Sequence, residues 1–507
     1  MRYTHVLDGI EAAGIELDLR RMQLPRNLEA RYGALVEAAL AEMRDLEAGG
    51  FVNTDENRQV GHYWLRNPDA APEAFREPIR KVFKEIRRFH DERFRERFVR
   101  ILWIGIGGSG LGPQMLYDAL RKPGTTPAMF FFDNTDPEGF QRTLEEIGPA
   151  GLAKTLAVVV SKSGTTPETH NGMRVAQRAY EKESLAFGNH AVAITEQGSE
   201  LDETAKRAGW LASFPMWDWV GGRTSLFSAV GILPAQLLGF DVDELCKGAQ
   251  AMDEATSPSR RELECNPALC LAAAWYHAVE TLGLRNMVVL PYCDRLATLS
   301  KYLQQLIMES LGKNGKGITV YGNKGSTDQH SYIQQLREGC RDFFVTFLRV
   351  IRPQVDWELE GGVTVGDYLA AFQEGTAEAL SSAGRLSMRL TIDQLDARRL
   401  GAIVALFERA VGYYGAMLGI NPYHQPGVEA GKKAARSILA IQRELVGQLR
   451  RHGTMSVKEL SKAVRAPEPL VYDLLDRLVR CDRFGLAKDA ARAGKMADVR
   501  FGPRSPG

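Results

Sequence analysis

Short apolar runs that alternate with amphipathic stretches constrain the fold of this chain more than any other feature. Val99–Ile104, Ala128–Phe132, Leu156–Val160 and His190–Ile194 have the length of strands, and stretches with helical periodicity separate them. Such runs are typical of strands that are buried on both faces, and their alternation with helices predicts a doubly wound parallel sheet. Ligands of such sheets bind at the carboxyl ends of the strands. The loops that follow these strands are therefore the first places to search for a site.

The loop after Leu156–Val160 carries an unusual density of hydroxyl groups. Pro167 is typical of the first position of a helix, so the loop leads into a helix N-terminus, which is an anion site because its N–H groups are unpaired. Hydroxyl donors strengthen such a site, and a glycine lets the backbone close around the anion. An ordinary N-capped turn needs fewer hydroxyls. We therefore predict a phosphate-binding loop, with donors and backbone supplied by Ser161, Lys162, Ser163, Gly164, Thr165 and Thr166.

A second candidate loop, Gly105–Gly110, follows the strand Val99–Ile104 and matches GxGxxG. Asp133 ends the next strand, so this half of the chain has the pattern of a dinucleotide fingerprint. A pyrophosphate needs only one glycine-rich loop, whereas a sugar monophosphate could be held between Ser109 and the hydroxyl-rich loop. The loop by itself leaves an NAD-dependent oxidoreductase and a sugar-phosphate enzyme open.

Further polar residues could supply acid–base and electrostatic catalysis. Arg223 follows two glycines before a long helical stretch, where it could stabilise a developing oxyanion. Gln305 and Glu309 are four residues apart, hence on one helix face. Glu309 follows three apolar residues, and apolar surroundings favour a carboxylate that accepts a proton as a general base. His330 and the pair Gln425 and Lys432 also stand at predicted helix starts.

The remaining chain suggests four regions. Residues 1–98 are predicted to be helical, residues 99–283 to form the first α/β domain, and residues 284–449 a second α/β domain with closing helices. The tail 450–507 has 13 Lys and Arg against 7 Asp and Glu, and two short helices precede its turns. A basic winged-helix-like appendage is one interpretation. A packing or interface module is the other, and we do not expect a nucleic-acid partner.

Composition favours an ordinary globular protein of a reducing compartment. The net charge of +1 argues against a membrane or nucleic-acid surface for the whole chain. The six cysteines are scattered, without zinc-ligand spacing, and neither a signal core nor a membrane-length apolar run is visible. We therefore expect a cytoplasmic protein without a metal or another cofactor.

Six motifs occur in the order found in the glucose-6-phosphate isomerase family, which the chain resembles over about residues 50–440. Asn57–Arg66 is similar to the bacterial and plastid branch. The matching motifs are Ile104–Pro113, Ser161–Thr169, Gly221–Ser225, Gln305–Glu309, Asp328–His330 and Gln425–Lys432.

The resemblance implies two sugar-isomerase-type αβα domains and a glycolytic and gluconeogenic isomerase that works as a homodimer with shared active sites. It implies that Glu309 transfers the proton between C1 and C2 through a cis-enediolate, which Arg223 stabilises. His330 and Lys432 would open the sugar ring, with Glu168 orienting His330. The implied sugar-phosphate ligands are Gly108, Ser109, Ser161, Lys162, Ser163, Thr166, Gln305 and Gln425.

Two alternatives keep the sugar-phosphate ligand. Ser163, Gly164 and Asp328 depart from the residues common in the family, so an isomerase that also accepts mannose 6-phosphate is one alternative. A sugar-phosphate sensor without catalysis is the other, although such a sensor would not need Glu309 and Arg223.

Overall fold

The structure, a computed structural model, describes residues 13–124, 126–489 and 495–504, without the side chains of residues 428–430, 432 and 433. It divides into two compact units, Met1–His424 and Gln425–Gly507. Its strands are β1 (Ile15–Asp18), β2 (Arg100–Ile104), β3 (Ala128–Phe132), β4 (Thr155–Val160), β5 (Ala191–Thr195), β6 (Ala212–Pro215), β7 (Asn286–Pro291), β8 (Thr319–Tyr321), β9 (Phe343–Val350), β10 (Leu386–Ile392), β11 (Met455–Ser456), β12 (Leu486–Asp489) and β13 (Arg500–Pro503).

Helices connect most of these strands. Within the described residues, no helix combines the length and the apolar composition needed to cross a membrane. The helices are α1 (Leu28–Glu47), α2 (Glu73–Phe89), α3 (Leu111–Leu120), α4 (Pro137–Ile147), α5 (Pro149–Leu152), α6 (Pro167–Lys182), α7 (Glu200–Arg207), α8 (Ala229–Leu237), α9 (Val242–Ala255), α10 (Pro267–Tyr276), α11 (Ala297–Gln304), α12 (Ile333–Glu338), α13 (Val365–Ser382), α14 (Ala397–Leu418), α15 (Pro426–His452), α16 (Val457–Val464) and α17 (Glu468–Arg480).

The first sheet is parallel throughout, with the strand order β3-β2-β4-β5-β6. Every residue of β4 is buried, as its β-branched sequence predicts for a central strand. The chain leaves β2 toward one edge of the sheet and β4 toward the other. This reversal is the topological switch point at which ligands of doubly wound sheets bind, so the loops after β2 and β4 lie side by side there.

The second sheet has the order β1-β10-β9-β7-β8, and only β1 is antiparallel to its neighbour. The predicted pair of mainly parallel sheets is thus confirmed. The prediction that residues 1–98 are helical is wrong for Ile15–Asp18, which pair with Arg389–Ile392 of β10. Four residues are too few to show a strand period among the longer helical patterns around them.

The two large sheets share one hydrophobic core within the first unit. Trp103 of β2 and Phe344 of β9 belong to the same buried cluster as most of α14. Nearly every position of α14 is buried, including the charged Glu408 and Arg409. Because burial of an unpaired charge is costly, partners for these two residues are required.

The C-terminal unit begins earlier than the predicted boundary at Arg450. Leu445, Val446 and Leu449 of α15 pack with Val457 and other residues of the small core, so the end of α15 belongs to this unit although the composition changes only after it. The strands form an antiparallel sheet of order β11-β13-β12. The order helix, strand, helix, helix, strand, strand resembles that of a winged helix.

Candidate active site

The glycine-rich loop after β2 packs directly against a second glycine-containing loop. Gly107–Ser109 and Gly222–Thr224 each form one turn of 3-10 helix. A Cβ atom on Gly108 would lie 2.2 Å from the backbone carbonyl of Gly222, so only glycine permits this approach. The Trp103 indole donates a hydrogen bond of 2.6 Å to the carbonyl of Ser109. The GxGxxG pattern therefore serves here to bring two backbone loops together.

The hydroxyl-rich loop lies between β4 and α6, as predicted. Gly164 has φ of 72°, and a Cβ atom there would lie 2.6 Å from the amide nitrogen of Leu201. Ser161 Oγ donates to Thr166 Oγ1 at 3.1 Å, and Thr166 is the N-cap of α6 without capping through its side chain. The hydroxyl proton of Thr166 is therefore not used by this hydrogen bond or by the helix.

Lys162 has a different setting from that of its hydroxyl neighbours. Its Nζ donates to the carbonyls of Asp218 at 2.9 Å and Val220 at 3.0 Å. Burial, together with the nearby charge of Arg58, lowers the pKa of this ammonium group. Lys162 thus fixes the hydroxyl-rich loop to the segment that leads into Gly221, and its contact with phosphate stays a prediction.

Glu309 ends a π-helical turn, Gln305–Glu309, that continues α11. Such turns are rare and occur frequently at functional sites. Gln305 Nε2 donates to Glu309 Oε2 at 2.9 Å, and a Cβ atom on Gly107 would lie 3.1 Å from the same amide nitrogen. The expected apolar surroundings of Glu309 are wrong: Leu306 and Ile307 point into the core, Met308 is exposed, and the carboxylate contacts polar groups.

Arg223 is the cation that faces this carboxylate. Its Nη1 lies 3.8 Å from Glu309 Oε1, and its side chain is only 3% exposed. Its Nε donates to Ser310 Oγ at 2.7 Å, and its Nη2 donates to the carbonyls of Pro422 at 2.5 Å and His424 at 3.1 Å. Burial lowers the pKa of Arg223 while the charge of Glu309 opposes this shift. Because an arginine keeps its charge in proteins, a fixed positive charge stands beside the carboxylate.

A buried charge network behind Arg223 has no counterpart in the sequence prediction. Tyr302 OH donates to Arg223 O at 3.4 Å or to Glu408 Oε1 at 3.3 Å. Arg66 lies 2.8 Å from Glu408 and 3.2 Å from Asp253. These residues come from distant parts of the chain and carry no local pattern, so the sequence offered no signal for their pairing.

His330 and Glu168, two further predicted catalytic residues, make no hydrogen bond with this cluster among the described residues. His330 is exposed at the end of the turn Thr327–His330, and in the described part of the chain it makes no hydrogen bond with Glu168 or Glu309. Glu168 lies in the first turn of α6, and its Oε2 is buried without a hydrogen-bond partner among the described residues. Gln425 belongs to the C-terminal unit, and the side chain of Lys432 lies outside the described residues.

The structure therefore brings Gly108, Arg223, Gln305 and Glu309 together, and Ser109 follows Gly108 in the same loop. The hydrogen bonds of Lys162 attach the loop of Ser161, Ser163 and Thr166 to the segment that leads into Gly221. Among the described ranges, no group of three or more His, Cys, Asp and Glu side chains is arranged to hold a metal ion.

Comparison with known proteins places the chain among sugar-phosphate isomerases. The sequence profile of the phosphoglucose isomerase family matches residues 26–382 and 378–448. Glucose-6-phosphate isomerase of Geobacter sulfurreducens is 51% identical, covering 90% of this chain and 89% of its own. The chloroplastic glucose-6-phosphate isomerase 1 of Arabidopsis thaliana is 45% identical over 96% of this chain and 84% of the Arabidopsis chain.

A solved structure agrees with these relatives. The crystal structure of a glucose-6-phosphate isomerase from Chlamydia trachomatis matches with a TM-score of 0.77 and 29% identity, covering 85% of this chain and 89% of that chain. The family profile spans most of the chain, and relatives near 50% identity match along nearly all of it. The chain therefore belongs to the phosphoglucose isomerase family.

Proposed function

We propose that the protein interconverts glucose 6-phosphate and fructose 6-phosphate. The single observation that carries this proposal is the carboxylate of Glu309 beside the buried guanidinium of Arg223, 3.8 Å away. Migration of a carbonyl between C1 and C2 needs a base for the proton and a cation for the charge that develops on oxygen. Membership of the phosphoglucose isomerase family and the names of its relatives give the substrate.

The phosphate group binds at the N-terminus of α6 and the adjoining glycine loop. The hydroxyls of Ser109, Ser161, Ser163 and Thr166 are the proposed ligands, together with unpaired N–H groups of the first helical turn, and the hydroxyl proton of Ser161 would have to turn from Thr166 to the phosphate. The hydroxyl of Thr166 supports this role, because it accepts from Ser161 and does not cap the helix through its side chain. The backbone of Gly108 is proposed to lie alongside these ligands.

The open-chain sugar then extends from the phosphate loops toward Glu309. Glu309 removes the proton from C2 of the aldose and returns it to C1, while a proton moves between O1 and O2. The intermediate is a cis-enediolate, whose negative charge lies next to Arg223. Gln305 already contacts Glu309 and is placed to line the sugar, and Gln425 is proposed to do the same.

Ring opening is assigned to His330 and Lys432, with Glu168 orienting His330. The imidazole of His330 is exposed, whereas Glu168 has a buried oxygen without a hydrogen-bond partner among the described residues. Both observations are accounted for when His330 reaches a neighbouring subunit. We therefore propose a homodimer in which each active site uses His330 of the partner chain.

The protein is also proposed to act in the cytoplasm. All six cysteines are free thiols, and burial raises the pKa of Cys246 and Cys270 to about 12, which keeps both protonated. Such unreactive buried thiols suit a reducing compartment.

A coupled assay tests the proposed reaction. Purified protein is given fructose 6-phosphate, and the glucose 6-phosphate that forms is oxidised by an excess of a dehydrogenase whose nicotinamide product is measured. The expected result is turnover that saturates with fructose 6-phosphate and is inhibited by 6-phosphogluconate. Binding of 6-phosphogluconate without turnover would instead support a sensor and overturn the proposal.

A further inference from the structure

Lys313, four residues after Glu309, connects two separate parts of the site. Its Nζ donates to the carbonyl of Ser310 at 2.7 Å and to that of Asn421 at 2.6 Å. Ser310 directly follows Glu309, and Asn421 directly precedes Pro422. The lysine therefore joins the end of the catalytic helix to a loop more than a hundred residues later in the chain.

These two parts are the ones that hold Arg223. The hydroxyl of Ser310 accepts from Arg223 Nε, whereas the carbonyls of Pro422 and His424 accept from Nη2. The direction of the guanidinium is thus set from two sides. A shift of the loop relative to the helix would turn Arg223 with respect to Glu309.

The loop is also held on its other side. The amide of Asn421 donates to Asn53 Oδ1 at 2.9 Å and to Asp55 Oδ2 at 2.6 Å. The backbone carbonyl of Asn421 is left for Lys313. The charges that face Lys313 are those of Arg223, Asp55, Glu309 and Glu56, and burial with the charge of Arg223 lowers the pKa of Lys313 to about 8. A half-buried cation next to another cation is unfavourable, so the two short hydrogen bonds are what hold the ammonium group of Lys313 in this place.

We propose that Lys313 is a positioning residue. It holds the helical turn of Glu309 and the loop Asn421–His424 in the relative position at which Arg223 faces Glu309. This inference rests on the proposed isomerase function. Lys313 acts through Arg223, so it contributes when negative charge develops on the substrate. A chain that lacks it is expected to bind the phosphate normally and to stabilise the enediolate poorly.

The test compares Lys313→Met with Lys316→Met. Lys316 is a matched control because its Nζ also joins the segment after Glu309 to a distant carbonyl, that of Leu418 at 2.9 Å. Among the described residues, its side chain makes no hydrogen bond with a residue that holds Arg223. Both variants lose a lysine hydrogen bond to a distant backbone carbonyl and are expected to lose thermal stability, Lys313→Met more than Lys316→Met because Lys313 is half-buried and Lys316 is exposed. Only Lys313→Met is expected to lower kcat, by about tenfold to a hundredfold, with KM changed less than threefold.

Two additional measurements distinguish positioning from general support of the fold. Lys313→Arg keeps the charge and several donors. We expect its log kcat to lie at least a third of the way from that of Lys313→Met back to that of the unaltered protein. Lys313→Gln is a milder change that tests the same step should Lys313→Met not fold, and its kcat is expected to fall at least fivefold. Calorimetry should give unchanged affinity for 6-phosphogluconate but weaker binding of a planar hydroxamate that mimics the enediolate.

The outcomes separate this inference from the proposed function. Absence of turnover in the unaltered protein would overturn the isomerase proposal itself. Turnover in the unaltered protein with kcat of Lys313→Met or Lys313→Gln within threefold of Lys316→Met would overturn the role of Lys313. Loss of 6-phosphogluconate affinity in parallel with kcat would also overturn it, because Lys313 would then act on ground-state binding.

Discussion

Arg223 Nη1 lies 3.8 Å from Glu309 Oε1, while Nε of the same guanidinium donates to Ser310, the next residue along the helix. This distance is longer than that of a hydrogen bond, so the arginine is held mainly by groups other than the carboxylate that it faces. Glu309 can therefore take up and release a proton without losing a hydrogen bond to Arg223. This arrangement suits a base whose charge changes during each turnover, next to a cation that must stay in place.

We expect Glu309→Gln to lower kcat by roughly 100-fold to 10,000-fold, the usual contribution of a general base. The phosphate loops are unchanged, so affinity for 6-phosphogluconate should stay within about threefold. Steady-state kinetics and calorimetry measure the two quantities. Glu280→Gln is a matched control, since Glu280 is an exposed glutamate in another π-helical turn, His277–Thr281. Turnover of Glu309→Gln within about tenfold of the control would remove Glu309 from the role of base.

Thr166→Ala should act on substrate binding instead. It removes a hydroxyl that is not used to cap α6, and a hydrogen bond to a charged group contributes about 1.5–3 kcal/mol. KM for fructose 6-phosphate should rise by roughly tenfold to a hundredfold, while kcat changes little. Thr135→Ala is the control, because Thr135 is exposed in the loop after β3, a strand of the same sheet. An unchanged KM in Thr166→Ala would place the phosphate elsewhere.

The sequence predicted the parts of the site that depend on local patterns. The strand, loop and helix around Ser161–Pro167 were correct because a buried strand, a glycine and a helix-starting proline each have short-range signals. The direction of Lys162 could not be predicted, since its partners Asp218 and Val220 lie more than fifty residues away. The prediction of apolar surroundings for the Glu309 carboxylate was wrong because it used the preceding residues in the sequence, and adjacent helix residues point in different directions.

The residues that hold Arg223 and the charges around it were missed for the same physical reason. Lys313 with Asn421, and Arg66 with Glu408, are pairs joined only by tertiary structure, and a lone Lys or Arg usually lies on the surface. The segment of Asn53 and Asp55 gave no interpretable pattern, yet its side chains hold the loop next to Arg223. Such contacts depend on how the two sheets meet, which periodicity does not specify.

His62 should make stability depend on pH. It is 2% exposed, and burial together with the charges of Arg66, Arg409 and Arg223 lowers its pKa well below the ordinary value. Below about pH 6.5 the unfolded chain binds a proton at this position that the folded chain does not. The free energy of unfolding is therefore unaffected by His62 above that pH, and it decreases by about 1.4 kcal/mol for each pH unit below it.

Denaturant titrations between pH 5 and 8 measure this slope. The comparison is with His62→Gln, which removes the titrating group and should flatten the pH dependence of the free energy of unfolding by that amount. The relevant quantity is the difference in slope, since Gln changes the packing at every pH equally. Parallel curves for the two proteins would show that folding does not lower the pKa of His62.

Mixing two inactive variants tests whether His330 acts across the proposed dimer. In a heterodimer of Glu309→Gln and His330→Ala chains, shared sites would leave one site with both substitutions and the other with Glu309 and His330 intact. Each heterodimer should therefore recover about half of the normal activity of a dimer. A site built within one chain would leave one substitution in every site, and nothing would be recovered. Subunit exchange is verified with differently tagged chains, and an inactive mixture despite exchange would mean that His330 acts within its own chain or is not catalytic.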